Sequence, residues 1–256
     1  MALVVGLRPR LRVGLRGGLN RLWSALSDIT DAAALSAAMN GATAATHLHK
    51  GNEASGSTDI AGSTDLVTVN SATHGIFNSD FGEDTVRFAA GGPGGKLQAP
   101  LTTDMEVAAG SWSFILVADG YTVSAAGRGL GGKRLDNTSA GWHVQSLTGN
   151  AIRVQREGAL GNNRTIDGTN DYGGGPFAIL VRNVPGTEFM FRDHLGDSFT
   201  GTADNDDVTN TRRYEIGRVG SPGGESYDFG MAALLIGSTW SDAQFDALVN
   251  YLGLGA

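Results

Sequence analysis

The stretch YDFGMAALLIGSTWSDAQFDALVNYL, running from Tyr227 to Leu252, decides how the rest of the chain is read. Its first part, Asp228 to Ile236, has the length and apolar character of a buried strand. Its second part opens a helix. Ser241 and Gln244 form a capping box, in which the serine oxygen accepts from the third helical amide and the glutamine reaches back to the serine N–H. Trp240 before the cap and Phe245 behind it make a hydrophobic staple. Phe245, Leu248, Val249 and Leu252 then recur at i, i+3, i+4 and i+7, and Gly253 supplies the exit. A helix with one apolar face must lie on a sheet.

Working outward, short strand candidates recur upstream. They are Thr85–Phe88, Lys96–Ala99, Trp112–Ala118, Tyr121–Ser124, Gly141–Ser146, Ala151–Arg156, Phe177–Val181, Glu188–Arg192 and Arg213–Arg218. Gly, Asn and Asp punctuate the gaps, and no helical pattern intervenes, which predicts a β-sandwich or barrel. Composition agrees: 39 of 256 residues are glycine, yet 41% are hydrophobic, enough to bury a core. A helical bundle does not tolerate that much glycine, because each interior one costs ~1 kcal/mol. The absence of cysteine excludes disulfides, thiolate zinc sites and a thiol nucleophile. No apolar run approaches the ~18 residues of a membrane span, so no membrane partner is expected. The opening MALVVGLRPR puts its apolar run before its arginines, the reverse of a secretory leader, and no standard export signal is expected.

Residues 41–79 are rich in Gly, Ser, Thr, Ala, Asn and Asp and read as a polar connector with one or two short strands. Only Ile60, Leu66–Val69 and Ile76-Phe77 look buried there. His47 and His49, at i and i+2, would share one face of a strand and form a metal pair. Zinc needs three or four ligands, and the sequence fixes no third one nearby, so no metal is expected.

Residues 1–40 form a basic arm. Arg8, Arg10, Arg12, Arg16 and Arg21 all precede the first acid, Asp28, while the whole chain carries −7, so the body is acidic. Leu7, Pro9, Leu11, Val13 and Leu15 alternate with Arg8, Arg10, Arg12 and Arg16, giving an extended ribbon that is apolar on one side and cationic on the other. Such a ribbon completes its hydrogen bonds on the edge of another sheet, either its own or a neighbour's. One or two short helices are expected within 19–40, where Trp23 serves either as an anchor in a partner's pocket or as ordinary packing. The arginines also suit phosphate, but the acidic body has no nucleic-acid-binding motif, and nucleic acid is not the expected partner.

The segments Arg213–Arg218, Tyr227–Ile236, Trp240–Gln244 and Tyr251-Leu252 resemble the closing strands and helix of concanavalin A-like lectin/glucanase domains of the laminin-G/pentraxin type. Val86–Phe88 and Trp112–Val117 resemble the opening strands. The resemblance spans roughly 80–256. It implies an all-β, antiparallel jelly-roll sandwich, here with an N-terminal basic arm, a short N-terminal helix and a C-terminal helix packed on the sandwich. Domains of this kind also occur in bacteriophage virion proteins behind short assembly-anchoring segments.

Glycosidase relatives carry alternating carboxylates on one strand. Here Glu215 stands alone, Glu225 and Asp228 sit at a turn, and neither a nucleophile elbow nor a phosphate loop occurs, so no enzyme is expected. Many relatives use calcium. Oxygen-rich candidates are Asp204, Asp206 and Asp207, and the group Asn162, Asn163, Asp167, Asn170 and Asp171, although the same residues make ordinary turns. Trp142, His143 and Tyr172 are candidates for stacking on a sugar ring, against the alternative that they fill the core. Two readings result. The first is a structural protein of a phage or viral particle, located in the virion and docked on neighbouring subunits, a homo-oligomer, through Leu7–Arg16 and Trp23. The second is a free carbohydrate-binding module.

Overall fold

The computed structural model describes residues 32–41, 45–70, 72–78, 81, 83–88, 95–105, 107, 110–120, 129–133, 140–160, 163–206, 208–218 and 229–254. The arm residues Leu7, Arg8, Arg10, Leu11, Arg12, Val13, Leu15, Arg16 and Trp23 lie outside them, as does Tyr121–Ser124.

Among the described residues the strands form two antiparallel sheets. The first holds β3 (Thr73–Asn78), β4 (Glu83–Phe88), β15 (Phe229–Gly237), β6 (Trp112–Gly120), β11 (Gly175–Val184), β12 (Glu188–Asp193) and β13 (Ser198–Gly201), in that order, with β1 (His47–Lys50) also on β15. The second runs β2 (Val67–Val69), β5 (Lys96–Gln98), β14 (Glu215–Ile216), β7 (Gly129–Lys133), β8 (Gly141–Ser146), β9 (Ile152–Glu157) and β10 (Asn163–Asp167). The expected all-β sandwich is what the chain forms.

Side-chain alternation explains how β6 and β15 are buried throughout. Trp112, Phe114, Leu116 and Ala118 point into the space between the sheets, while Ile115 and Val117 point outward. The outward set is itself buried, beneath the C-terminal helix α2 (Asp242–Leu252) together with Met39, which follows the short helix α1 (Ala32–Ala38). On β15, Phe229 and Met231 face inward, and then Leu234 and Ile236 do. A register shift between Met231 and Ala233 changes the parity by one, so that both halves of the strand serve the core.

Helix α2 is built as its sequence predicts. Ser241 Oγ accepts from the Gln244 N–H at 3.3 Å, and Gln244 Oε1 accepts from the Ser241 N–H at 2.8 Å. Trp240 and the stripe Phe245, Leu248, Val249 and Leu252 are buried on the sheet. Gly253, at φ 73°, closes the helix in the left-handed region. Arg182 donates to the Trp240 carbonyl at 2.7 Å and to Asp242 at 2.8 Å, and Arg192 holds Asp246 through two nitrogens. Ser241→Ala should cost about 1 kcal/mol of stability, read by urea denaturation, because it strips an N-cap acceptor.

The segment expected as a connector is woven into both sheets: β1 and β3 belong to the first and β2 to the second. Within it, Ile60, Val67 and Phe77, expected buried, are exposed, Phe77 by 65%. Strand β3 lies at a sheet edge and alternates, so Phe77 points away from the sandwich while its neighbour Asn78 is buried.

Candidate functional site

Strand β1 is pinned along β15 from His47 opposite Ile236 to Lys50 opposite Ala233. Beyond it the chain turns back on itself, so that Asp59 bridges to His49 and Ser57 to Leu66. Asp59 is the hub of this loop. Its Oδ1 accepts from the Leu48 N–H at 3.1 Å and the Gly62 N–H at 2.8 Å, and its Oδ2 accepts from the Thr64 N–H at 3.1 Å and lies 2.6 Å from His47 Nδ1. Burial alone would raise the Asp59 pKa. The hydrogen bonds from His47, Gly62, Leu48 and Thr64 outweigh it and hold the carboxyl well below its usual range.

His49 is 0% exposed, and burial lowers its pKa against the opposing pull of Asp59, so its neutral form is favoured. Its Nδ1 lies 3.3 Å from the Ser57 carbonyl, which can only accept. The proton is therefore on Nδ1 and the lone pair on Nε2, a buried atom without a hydrogen-bond partner. His47, His49 and Asp59 each bring a ligand atom to within 4.8 Å of the others, and among the described residues they are the set that could hold a metal ion.

The same loop also forms a cleft of about 380 Å³ lined by Glu53 and by residues 55–58 and 65–68. Its walls are braced. The Gly56 N–H donates to Thr68 Oγ1 at 2.9 Å, His74 Nδ1 donates to the Glu53 carbonyl at 3.0 Å, and Glu53 accepts from the N–H and hydroxyl of Thr58. Hydroxyls, two carboxylates and the exposed Val67 give the cleft mixed polar and apolar lining.

The residues singled out for sugar stacking lie elsewhere and are buried. Trp142 is 1% exposed, packed against Trp112 at 4.7 Å, Phe114 at 5.2 Å and Tyr214 at 6.0 Å between ring centroids. His143 is 6% and Tyr172 3% exposed. None of the three offers a ring face to a sugar. Tyr172 instead donates its hydroxyl to the buried Asp193 at 2.5 Å. Burial, reinforced by Asp193, raises its pKa above 10, and burial alone does the same for Tyr214. Groups with a raised folded pKa contribute stability that is intact below the unfolded value and lost as pH rises past it. Stability should therefore fall steeply above about pH 10. Tyr214→Phe, which also deletes an unpartnered buried hydroxyl, should flatten that fall in denaturant titrations across pH.

Most of the described calcium candidates have partners within the chain. Arg156, fully buried on β9, donates to Asp204 Oδ1 and to the Asp206 carbonyl, so the Asp204 charge is already met by a guanidinium, although its Oδ2 is buried without a hydrogen-bond partner. Asp207 and Asn162 lie outside the described residues. In the second group, Arg153 holds Asp167 through two nitrogens, Asn163 accepts from Gln155 and Thr165, Asn170 donates to Asp193 and Asp197, and Asp171 accepts from Asn150 and Gly173. These are turn and strand contacts.

No family model matches the chain, and no curated protein matches it. Solved structures do. The binding domain of Paraclostridial Mosquitocidal Protein 1 superposes with a TM-score of 0.58 at 9% identity, covering 80% of this chain and 52% of that one. The botulinum neurotoxin serotype G binding domain gives 0.59 at 11%, covering 82% and 51%. A botulinum neurotoxin type C structure, from a toxin whose cell entry depends on interaction with two ganglioside molecules, gives 0.55 at 14%, covering 80% and 50%. The likeness is one of fold. The chain spans about half the length of each of these three structures.

These neighbours support the β-sandwich that the sequence resemblance implied, and they are toxin binding domains rather than particle proteins. Sequence reading found His47 and His49 but missed Asp59, since its approach depends on a chain reversal. The signal was local: Asp59 is followed by Gly62 and Thr64, whose N–H groups make the short turn that a carboxylate organises.

Proposed function

We propose that the chain is a non-enzymatic, lectin-like binding module of concanavalin A-related type, and that its ligand is a glycan held in the cleft formed by Glu53, residues 55–58 and residues 65–68. The observation that carries this is the lining: several hydroxyls, two carboxylates and backbone edges beside the exposed Val67, in a volume of about 380 Å³ suited to one or two sugar rings. Polyols are recognised by convergent polar groups next to an apolar patch, and both are here. The ganglioside dependence of a toxin with a similar fold supports the class of ligand. The two cleft carboxylates are committed to the loop itself, Glu53 to Thr58 and Asp65 to the Asp59 N–H, which favours binding over acid–base chemistry.

A glycan array followed by calorimetry on the full chain tests this. Filling the cleft at the exposed Ser55 with Ser55→Trp should weaken any glycan bound by at least tenfold without moving the unfolding midpoint. Unchanged affinity in that variant, or no glycan bound at all, sinks the reading.

The arm supports a second reading. We infer from its five arginines ahead of an acidic body that residues 1–40 anchor the module to neighbouring subunits, as a homo-oligomeric component of a phage or viral particle. Deleting residues 1–18 should leave the sandwich folded and abolish assembly, measured by light scattering. Unaltered assembly rejects this reading.

A further inference from the structure

We propose that His47, His49 and Asp59 form a binding site for a borderline divalent transition-metal ion of the zinc type, which fastens the 51–66 loop to the sheet. The donor set is two imidazoles and a carboxylate, a combination that suits zinc and its neighbours and that calcium and magnesium disfavour.

Four observations support it. The three ligand atoms lie within 4.8 Å of one another, and an ion with bonds of ~2.0–2.1 Å draws them toward one centre, while the 2.6 Å contact between His47 and Asp59 opens to admit it. His49 presents a fully buried Nε2 with no hydrogen-bond partner. An orphaned acceptor in the interior costs free energy unless something binds it. Its opposite nitrogen is held by the Ser57 carbonyl, the outer contact that metal-bound histidines characteristically make. Finally, Gly62 keeps the mouth of the cluster clear: a Cβ there would lie 2.4 Å from Asp59 Oδ2, 2.9 Å from His47 Nδ1 and 2.6 Å from the Thr46 carbonyl.

The framework is fixed on both sides. Strand β1 is paired to β15 through four residues, and the Asp59 carboxylate is oriented by three backbone N–H groups. Without an ion, His47 and Asp59 share a proton across their 2.6 Å contact. The ion takes the place of that proton at Nδ1, and the neutral imidazole carries its one proton on Nε2. His74 does not compete for the ion, because its two nitrogens are engaged by Glu53 and Thr68. The inference does not rest on the glycan reading, since none of the three ligands lines the cleft.

The test is titration of the untagged, metal-stripped full chain with Zn(II) by calorimetry, alongside Co(II) monitored by its visible absorption. The expected result is one ion per chain, four- or five-coordinate cobalt bands, and an unfolding midpoint raised by about 5–10 °C at a hundredfold excess over Kd. His47→Gln, at a partly exposed position, should weaken binding at least tenfold while the fold is kept, as should His49→Gln. Magnesium and calcium at the same concentration should not displace the ion. If His49→Gln does not fold, His47→Gln and the cobalt spectrum decide. No stoichiometric binding, octahedral cobalt spectra, or unchanged affinity in His47→Gln would overturn the proposal and leave Asp59 as a purely hydrogen-bonded hub.

Discussion

Trp142→Ala should destabilise the chain by ~3–5 kcal/mol, the range for removing a large aromatic from a packed core. For a protein of this size each kcal/mol moves the midpoint by about 2–4 °C, so a thermal melt should show a drop on the order of 10 °C. The indole sits in the core among Trp112, Phe114 and Tyr214. Trp142→Phe should be milder, because it keeps ring packing and removes an indole N–H that has no partner. The result separates two roles. A sugar-stacking tryptophan, when truncated, costs ligand affinity and leaves the melt alone. Here the melt should move, and affinity measured well below the midpoint should not.

Asp204→Ala should cost a similar ~3–5 kcal/mol, by a different route. Arg156 is fully buried, and its charge is met by Asp204 and by the Asp206 carbonyl. Removing the carboxylate leaves a buried cation without its counter-charge, the costly way to break such a pair. Replacing both partners, with Arg156→Met and Asp204→Ala together, should recover much of the loss, and a double-mutant cycle in urea measures the coupling. Added calcium should leave the midpoint of the unmodified protein unchanged. A calcium-induced rise that disappears in Asp204→Ala would show that the aspartates hold an ion after all.

The sandwich was legible where burial and periodicity coincide. Strand β8 has the limits expected, Gly141–Ser146, helix α2 runs between the expected Ser241 cap and Gly253 exit, and β15 is shifted by one residue at each end. Their side chains are apolar in the pattern that the structure buries, and a capping box is a local device that needs no tertiary context. What escaped were strands whose residues are chosen by their neighbours. Strand β7 reads Gly-Leu-Gly-Gly-Lys because β8 and β14 approach it closely: a Cβ on Gly132 would lie 2.4 Å from the Trp142 carbonyl, and one on Gly131 2.5 Å from Ile216. Strand β10, Asn163–Asp167, is a polar edge. Strand β1 carries two histidines and a lysine and is held by its pairing to β15 more than by any propensity of its own.

The site was half legible for the same reason. Residue types named His47 and His49, whereas Asp59 depends on a reversal that brings it beside His49. The buried aromatics and the aspartates at 204 and 206 show the opposite error. Trp, Tyr and Asp are ligand-binding types in isolation, but the core and Arg156 have first claim on them.

The sharing of one edge of β15 between β1 and β4 bears on how the chain is made. Thr46 bonds Ile236 across 190 positions, and β6 near mid-chain has β15 as one of its two neighbours. A nascent polypeptide leaving the ribosome therefore holds an unfinished sheet, with the Trp112–Gly120 ribbon lacking one flank, until Phe229–Gly237 has emerged. Closure waits for β15 and is slow, as long-range pairing dictates. Products cut short before Phe229 should accumulate as insoluble aggregates.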